Sequence, residues 1–150
     1  MTLKIGRKTK IKMKELEIIS KTGKINNSAE RIFYFFDDFR NITKLIPPEA
    51  KAEVENWHAE KDWCSFVIKG QSIQLNIVER EKFKTIKITG DDKSPYVFNF
   101  WIQLAQLSAY ETAVRLVLRA KLNLFMRQAV KKPMQKGLDQ IIDYMKMIPY

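Results

Sequence analysis

Nucleophilic catalysis of the Ser/His/Asp or Cys/His kind would in this chain have to use His58, the only histidine, and a Cys/His pair would add Cys64, the only cysteine, six residues further on. A thiol attacks as its thiolate, which needs a nearby imidazole or other positive group, and the charge that develops on the substrate oxygen needs donors to receive it. A hairpin would bring the two residues together, and alternation sets His58 with Ala52, Val54 and Asn56 on a face that can point inward. No glycine-rich turn or helix start follows to supply an oxyanion site. The expectation is therefore a small buried thiol and a histidine at a rim.

The adjacent carboxylates Asp37–Asp38 and Asp91–Asp92 are the other candidates for acid–base work or metal binding. Neighbours on a helix point about 100 degrees apart, and "TGDDKSP" has the composition of a turn, so both pairs are expected to be solvated. No GxGxxG, GxxxxGK or GxSxG occurs, and no His/Asp/Glu cluster has metal-ligand spacing. No metal, no cofactor and no catalytic residue is expected. Polar groups on otherwise apolar stretches remain: Asn56, Asn76, Asn99, Gln103, Tyr34 and Tyr96. A few such groups orient an apolar ligand if they face a cavity; Asn99 and Gln103, which share a face with Trp101, are expected outside.

The elements that would position these groups follow from period and punctuation. Glu15 to about Ile25 reads as a first strand ended by "NNS", with Ser28 or Asn27 as the next N-cap. "AERIFYFFDDFRNITKLIPP" reads as two short helices stopped by Pro47 and Pro48. Six strands follow in a meander: Ala52–Glu60, Trp63–Gly70, Gln71–Glu81, Thr85–Gly90, Tyr96–Leu107 and Glu111–Leu122. The last is dry on one face (Thr112, Val114, Leu116, Leu118, Ala120, Leu122) and wet on the other (Arg115, Arg119, Lys121, with Val117). A long amphipathic helix closes the chain, its stripe Met126, Val130, Met134, Leu138, Ile141 or Ile142, Met145 and Ile148. Arg127, Lys131, Lys132 and Lys136 are placed on its other faces, and Pro133 is expected to bend it near its first third.

At 150 residues, 45% of them hydrophobic, with five Gly and five Pro, the chain fits one domain that buries roughly two thirds of its unfolded surface. Six of the positive charges behind the net +10 fall within the first fourteen residues, which hold no acid. Residues 1–14 are accordingly a basic leader or the start of an edge strand, and 15–150 the domain. No apolar run of about 7 to 15 residues follows that leader, as a signal peptide would need. With one cysteine and no apolar stretch of about 18 residues, a cytoplasmic setting is expected.

The order strand, two short helices, six strands, long helix, together with "NWHAEKDWCSFVIKG", "FNFWIQL" and "RLVLRAKLN", resembles the helix-grip fold of the START-like and polyketide cyclase (SRPBCC) superfamily, in particular bacterial members of unassigned function. The resemblance implies an α+β fold in which a seven-stranded curved antiparallel sheet wraps the C-terminal helix around a cavity for an apolar molecule. On that implication the lining is assigned to Phe66, Ile68 and Leu75, to Phe98, Phe100 and Ile102, to Leu116 and Leu118, and to Val130, Met134 and Leu138. Tyr34, Asn56, His58 and Tyr96 are the polar cavity groups. The function implied is binding or transport of a small hydrophobic or amphipathic ligand, lipid-like or polyketide-like. The alternative is an aromatase or cyclase acting through ligand conformation. A nucleic-acid-binding protein using the basic leader ranks third. The partners expected are the hydrophobic ligand and, transiently, an anionic membrane, with the chain a monomer or homodimer.

Overall fold

Alternation of period two builds an antiparallel meander, and the computed structural model, which describes residues 14–46, 48–91 and 97–150 (49 and 50 by backbone alone), contains it. The strands are β1 (Lys14–Ile19), β2 (Gly23–Ile25), β3 (Val54–Ala59), β4 (Trp63–Ile68), β5 (Gln71–Glu81), β6 (Thr85–Gly90), β7 (Val97–Ser108) and β8 (Glu111–Leu122). They form one eight-stranded sheet in the order β1-β8-β7-β6-β5-β4-β3, with β2 pairing β8 beyond β1. The leader through residue 13, Pro47 and Tyr96 lie outside the described residues.

The eighth strand comes from the first. Glu15 to Ile25 does not run on as one strand but breaks at Ser20, whose N–H donates to the Leu116 carbonyl at 2.9 Å while its Oγ accepts from the Leu116 N–H at 2.8 Å. A hydroxyl thus stands where a strand carbonyl would, and β1 and β2 each pair with their own half of β8.

Ser28 is the N-cap of α1 (Ala29–Phe36), its hydroxyl accepting from the Arg31 N–H. The helix buries Ala29, Ile32, Phe33 and Phe36, and lies on β6 and β7. Asp38 caps α2 (Phe39–Ile42), and a 3₁₀ turn over Thr43–Leu45 follows. Pro48 does not stop a helix as expected; it opens one, α3 (Pro48–Lys51). The missing N–H of a proline has no partner to lose at that position.

Two extra residues in the ladder redirect side chains. Between Glu55 and His58, β3 carries one more residue than β4, at Asn56, whose φ of 55° is in the left-handed region that asparagine tolerates. A second insertion after Ile77 puts Arg80 opposite Ile86 on the concave side. There its guanidinium donates to the Asp37 carbonyl at 2.7 Å and to Asp62 Oδ1 at 2.6 Å, tying the α1–α2 junction to the sheet.

The last helix, α4 (Leu124–Met147), is capped by Asn123, whose Oδ1 accepts from the Met126 N–H at 2.8 Å. It packs mainly on β1, β2 and β8. Leu138, Ile142 and Met145 are its buried residues, whereas Ile141 and Met134, two members of the expected stripe, are about 40% exposed. Seating is therefore confined to the second half of the helix. Gly23 permits it: a Cβ on that residue would lie 2.6 Å from Ile142 Cγ2, with Val114 behind.

Ile142 is fully buried and branched at Cβ, so it cannot swing aside. We expect Gly23→Val to cost about 1–3 kcal/mol by overpacking, lowering the midpoint of thermal unfolding by roughly 3–9 °C in a chain of this size. Gly137→Ala, at a helical site where an added Cβ meets nothing within 4 Å, should raise stability by about 0.5–1 kcal/mol.

A half-open apolar trough as candidate site

The register puts one set of side chains on the concave face, and their burial changes along the strands. Toward the end covered by α1 and the second half of α4, Cys64, Ile77, Ile86, Ile102, Leu104, Val114 and Leu116 are buried. Phe33, Tyr34 and Phe83 plug this end, their rings edge to face at 5.7 to 5.8 Å. Toward the other end Phe66, Ile68, Ile73, Leu75, Phe98, Phe100, Leu118 and Ala120 lie on the same face and are only half-buried. The first half of α4 stands at that end, and it leaves Leu124 and Phe125 exposed.

Between sheet and helix the described residues thus form an apolar trough whose lining is half-buried at this end, Leu122 at 8% exposure apart. Of the lining residues named from sequence, Phe66, Ile68, Leu75, Phe98, Phe100, Leu118 and Val130 fall in the half-buried part. Ile102, Leu116 and Leu138 belong to the closed core instead, at 4%, 0% and 5% exposure. Met134 turns more outward than expected. Two hollows lie elsewhere. One, of about 490 Å³, flanks α1 beside Tyr34, Phe35 and Tyr150; the other, of about 500 Å³, separates Leu45, Ile46 and Pro48 from Tyr144, Met147 and Ile148.

The polar groups named for the cavity are placed differently. The insertion at Asn56 shifts β3 by one, so Trp57 rather than His58 joins the concave face, stacked on Phe66 with ring centroids 5.6 Å apart. Its Nε1 donates to Thr43 Oγ1 at 2.7 Å. His58 pairs with Ser65 on the convex face, where its ring lies 5.2 Å from that of Trp63 and its Nε2 2.7 Å from Glu60 Oε2. Asn56 is exposed at the bulge, and Tyr34 is 46% exposed on the outer side of the plug. Asn99 and Gln103 are on the convex face as expected, Gln103 Oε1 accepting from Arg115 Nε at 2.6 Å.

The carboxylate pair in α1–α2 is not solvated as expected. Asp37 is buried, which raises its pKa against the opposing pull of Lys61 and Arg80. The hydrogen bonds of Asp38 with Arg40, whose Nη2 approaches to 2.7 Å, hold the Asp38 carboxyl below its ordinary range. Both serve the junction between the helices. Cys64 and His58 point to opposite faces of the sheet and form no pair. Among the described residues no three of His, Cys, Asp or Glu gather as metal ligands.

Alternation missed two residues of the trough. Trp57 depends on the bulge, which only the left-handed preference of Asn56 hints at. Arg127, assigned to another helix face, is half-buried beside Met126 and Val130, and its Nε is enclosed without a hydrogen-bond partner. The signal was available in the spacing, since Arg127 precedes Leu138 by eleven residues, close to three full turns.

The Cys64 thiol is fully buried, and burial pushes it up to about 12 from an ordinary 9.0. We expect it to react with an aromatic disulfide reagent at neutral pH only at the rate at which the protein opens, and at once in denaturant. An unfolded chain loses this proton near 9 while the folded one keeps it until about 12. Raising the pH through that window therefore favours the unfolded chain, and Cys64→Ala should flatten the decline in unfolding free energy measured there.

In sequence, the chain matches no protein-family model and no curated protein. In structure it is similar to norcoclaurine synthase from Thalictrum flavum in complex with dopamine and hydroxybenzaldehyde, at a TM-score of 0.67 and 9% identity over 91% of this chain and 87% of that one. A START superfamily protein from Mycobacterium smegmatis superposes at 0.65 with 14% identity, over 88% of this chain and 94% of the other. A protein from Thermobifida fusca, known from its solution structure, superposes at 0.63 with 10% identity over 87% and 89%. These proteins share an open curved antiparallel sheet and a long C-terminal helix with this chain, which therefore has the helix-grip fold of START-like structures.

Proposed function

We propose that this chain is a carrier or binding protein for a small, largely apolar molecule, lipid-like or polyketide-like, held in the trough under the first half of α4. The observation that supports this reading most directly is the run of half-buried aromatic and aliphatic side chains on one face, from Phe66 and Trp57 on β4 and β3 to Phe100 and Leu118 on β7 and β8. A continuous apolar surface of this kind is unfavourable in water unless something covers it. The Met126 and Val130 side of α4, half-buried above the same end, supplies an adaptable wall. Among the described residues no helix is long and apolar enough to cross a membrane, and we place the protein in the cytoplasm.

The rival reading, an aromatase or cyclase, draws on the likeness to norcoclaurine synthase, which has been solved with two small aromatic molecules. It needs an acid or base in the trough. His58 lies on the convex face, Tyr34 on the outer side of the plug, and the carrier reading needs neither.

Protein purified from its native host under mild conditions should release apolar compounds into an organic extract read by mass spectrometry. Phe100→Ala removes on the order of 50 Å² of contact at ~25 cal/mol per Å², so it should weaken binding of an apolar fluorescent probe about eightfold. An empty protein whose fluorescence probe titration is flat in wild type and variant alike would end the carrier reading.

A further inference from the structure

Arg127 is out of place among the arginines. Arg40, Arg80, Arg115 and Arg119 each have an acceptor (Asp38, the Asp37 carbonyl with Asp62, Gln103 and Glu17), and Arg31, whose side chain has none among the described residues, is exposed to water. Arg127 is less exposed than Arg40, Arg80, Arg115 or Arg119, yet its Nε is enclosed and bonds to nothing. An enclosed donor without an acceptor loses its water and gains nothing in return, and the loss is larger when the group is charged. It lies in the first turn of α4, with Met126, Val130 and Gln135 the other half-buried side chains of that half. The face is the one Leu138, Ile142 and Met145 continue onto the sheet. The concave strand positions at that end of the sheet include Phe98, Phe100, Leu118 and Ala120, whose side chains carry no acceptor.

Resting on the carrier reading above, we propose that Arg127 receives the acidic head of the trough's ligand, which is therefore an amphiphile ending in an oxyanion, either a carboxylate or a phosphate monoester. A planar guanidinium offers two parallel N–H groups to such a head, and an apolar surround strengthens the pair by excluding water. The ligand's chain then lies along Phe100, Phe66 and Trp57 toward the plug, and its head stays at the mouth. Buried apolar area holds the chain regardless of its end group; Arg127 decides which end group is preferred.

Titration calorimetry with dodecanoate, dodecyl phosphate and 1-dodecanol, each below its aggregation limit, separates the two claims. At least one anion should bind about tenfold or more tightly than the alcohol, and whichever gains identifies the head group. Arg127→Gln should bring that anion down to the level of the alcohol and leave the alcohol unchanged. Lys132→Gln, which removes the same charge from an exposed site on the helix, should change none of the three. With dodecanoate labelled at its carboxyl carbon, the bound acid should titrate below the ordinary carboxylate range in wild type and above it in Arg127→Gln. Equal binding of anions and alcohol, or a preference that survives Arg127→Gln, overturns the role of Arg127 and leaves the carrier reading intact. Binding of none of the three overturns both.

Discussion

The contact between Gly23 and Ile142 sets the position of the long helix, and with it everything on the concave face. Because β2 presents no Cβ at that point, α4 comes close enough for Ile142, Leu138 and Met145 to be covered by β1, β2 and β8. A helix of 24 residues is held there by one half. Its other half begins with the exposed Leu124 and Phe125 and buries no side chain fully. Core formation therefore stops partway along the strands. The apolar face beyond that point is a consequence of where the helix is pinned, and the strands themselves remain apolar to their ends.

The two faces of the sheet resolve their polar groups in different ways. On the convex side Trp101 lies between the ammonium of Lys87 at 5.5 Å and the guanidinium of Arg119 at 5.4 Å, and Arg119 also pairs with Glu17. That arrangement covers Val117, which is 5% exposed although alternation puts it on the wet face. Exposed ion pairs of this kind add little stability, but they let an aromatic residue sit on a solvated surface. On the concave side, among the described residues, Arg127 is the half-buried cation near the mouth, and its Nε has no hydrogen-bond partner. The proposed head-group contact of Arg127 rests on that asymmetry.

The bulge at Asn56 shows how a single residue in the left-handed region changes the chemistry available to a site. By moving Trp57 inward and His58 outward it removes the one imidazole from the concave face and adds an indole stacked on Phe66. A face that could have carried proton transfer becomes one that offers area and shape. The insertion in β5 acts in the opposite sense, turning Arg80 inward to fasten the α1–α2 junction over the closed end.

Alternation in "WCSFVIKG", "TIKITG" and "ETAVRLVLRAKL" determined the meander, the dry and wet faces and most of the trough's apolar lining, since period two depends only on the neighbouring residues. The caps at Ser28 and Asn123 are equally local. What only the tertiary structure decided is where that local pattern is interrupted and how far the helix reaches: the break at Ser20, the bulge that exchanges His58 for Trp57, the choice of Ile142 over Ile141, and the enclosure of the Arg127 Nε. Two of these depend on a partner distant in sequence, Leu116 for Ser20 and Gly23 for Ile142. A periodic pattern can say which residues share a face, but the closest approach of two elements is set by packing between them, and that is what left one end of this sheet uncovered.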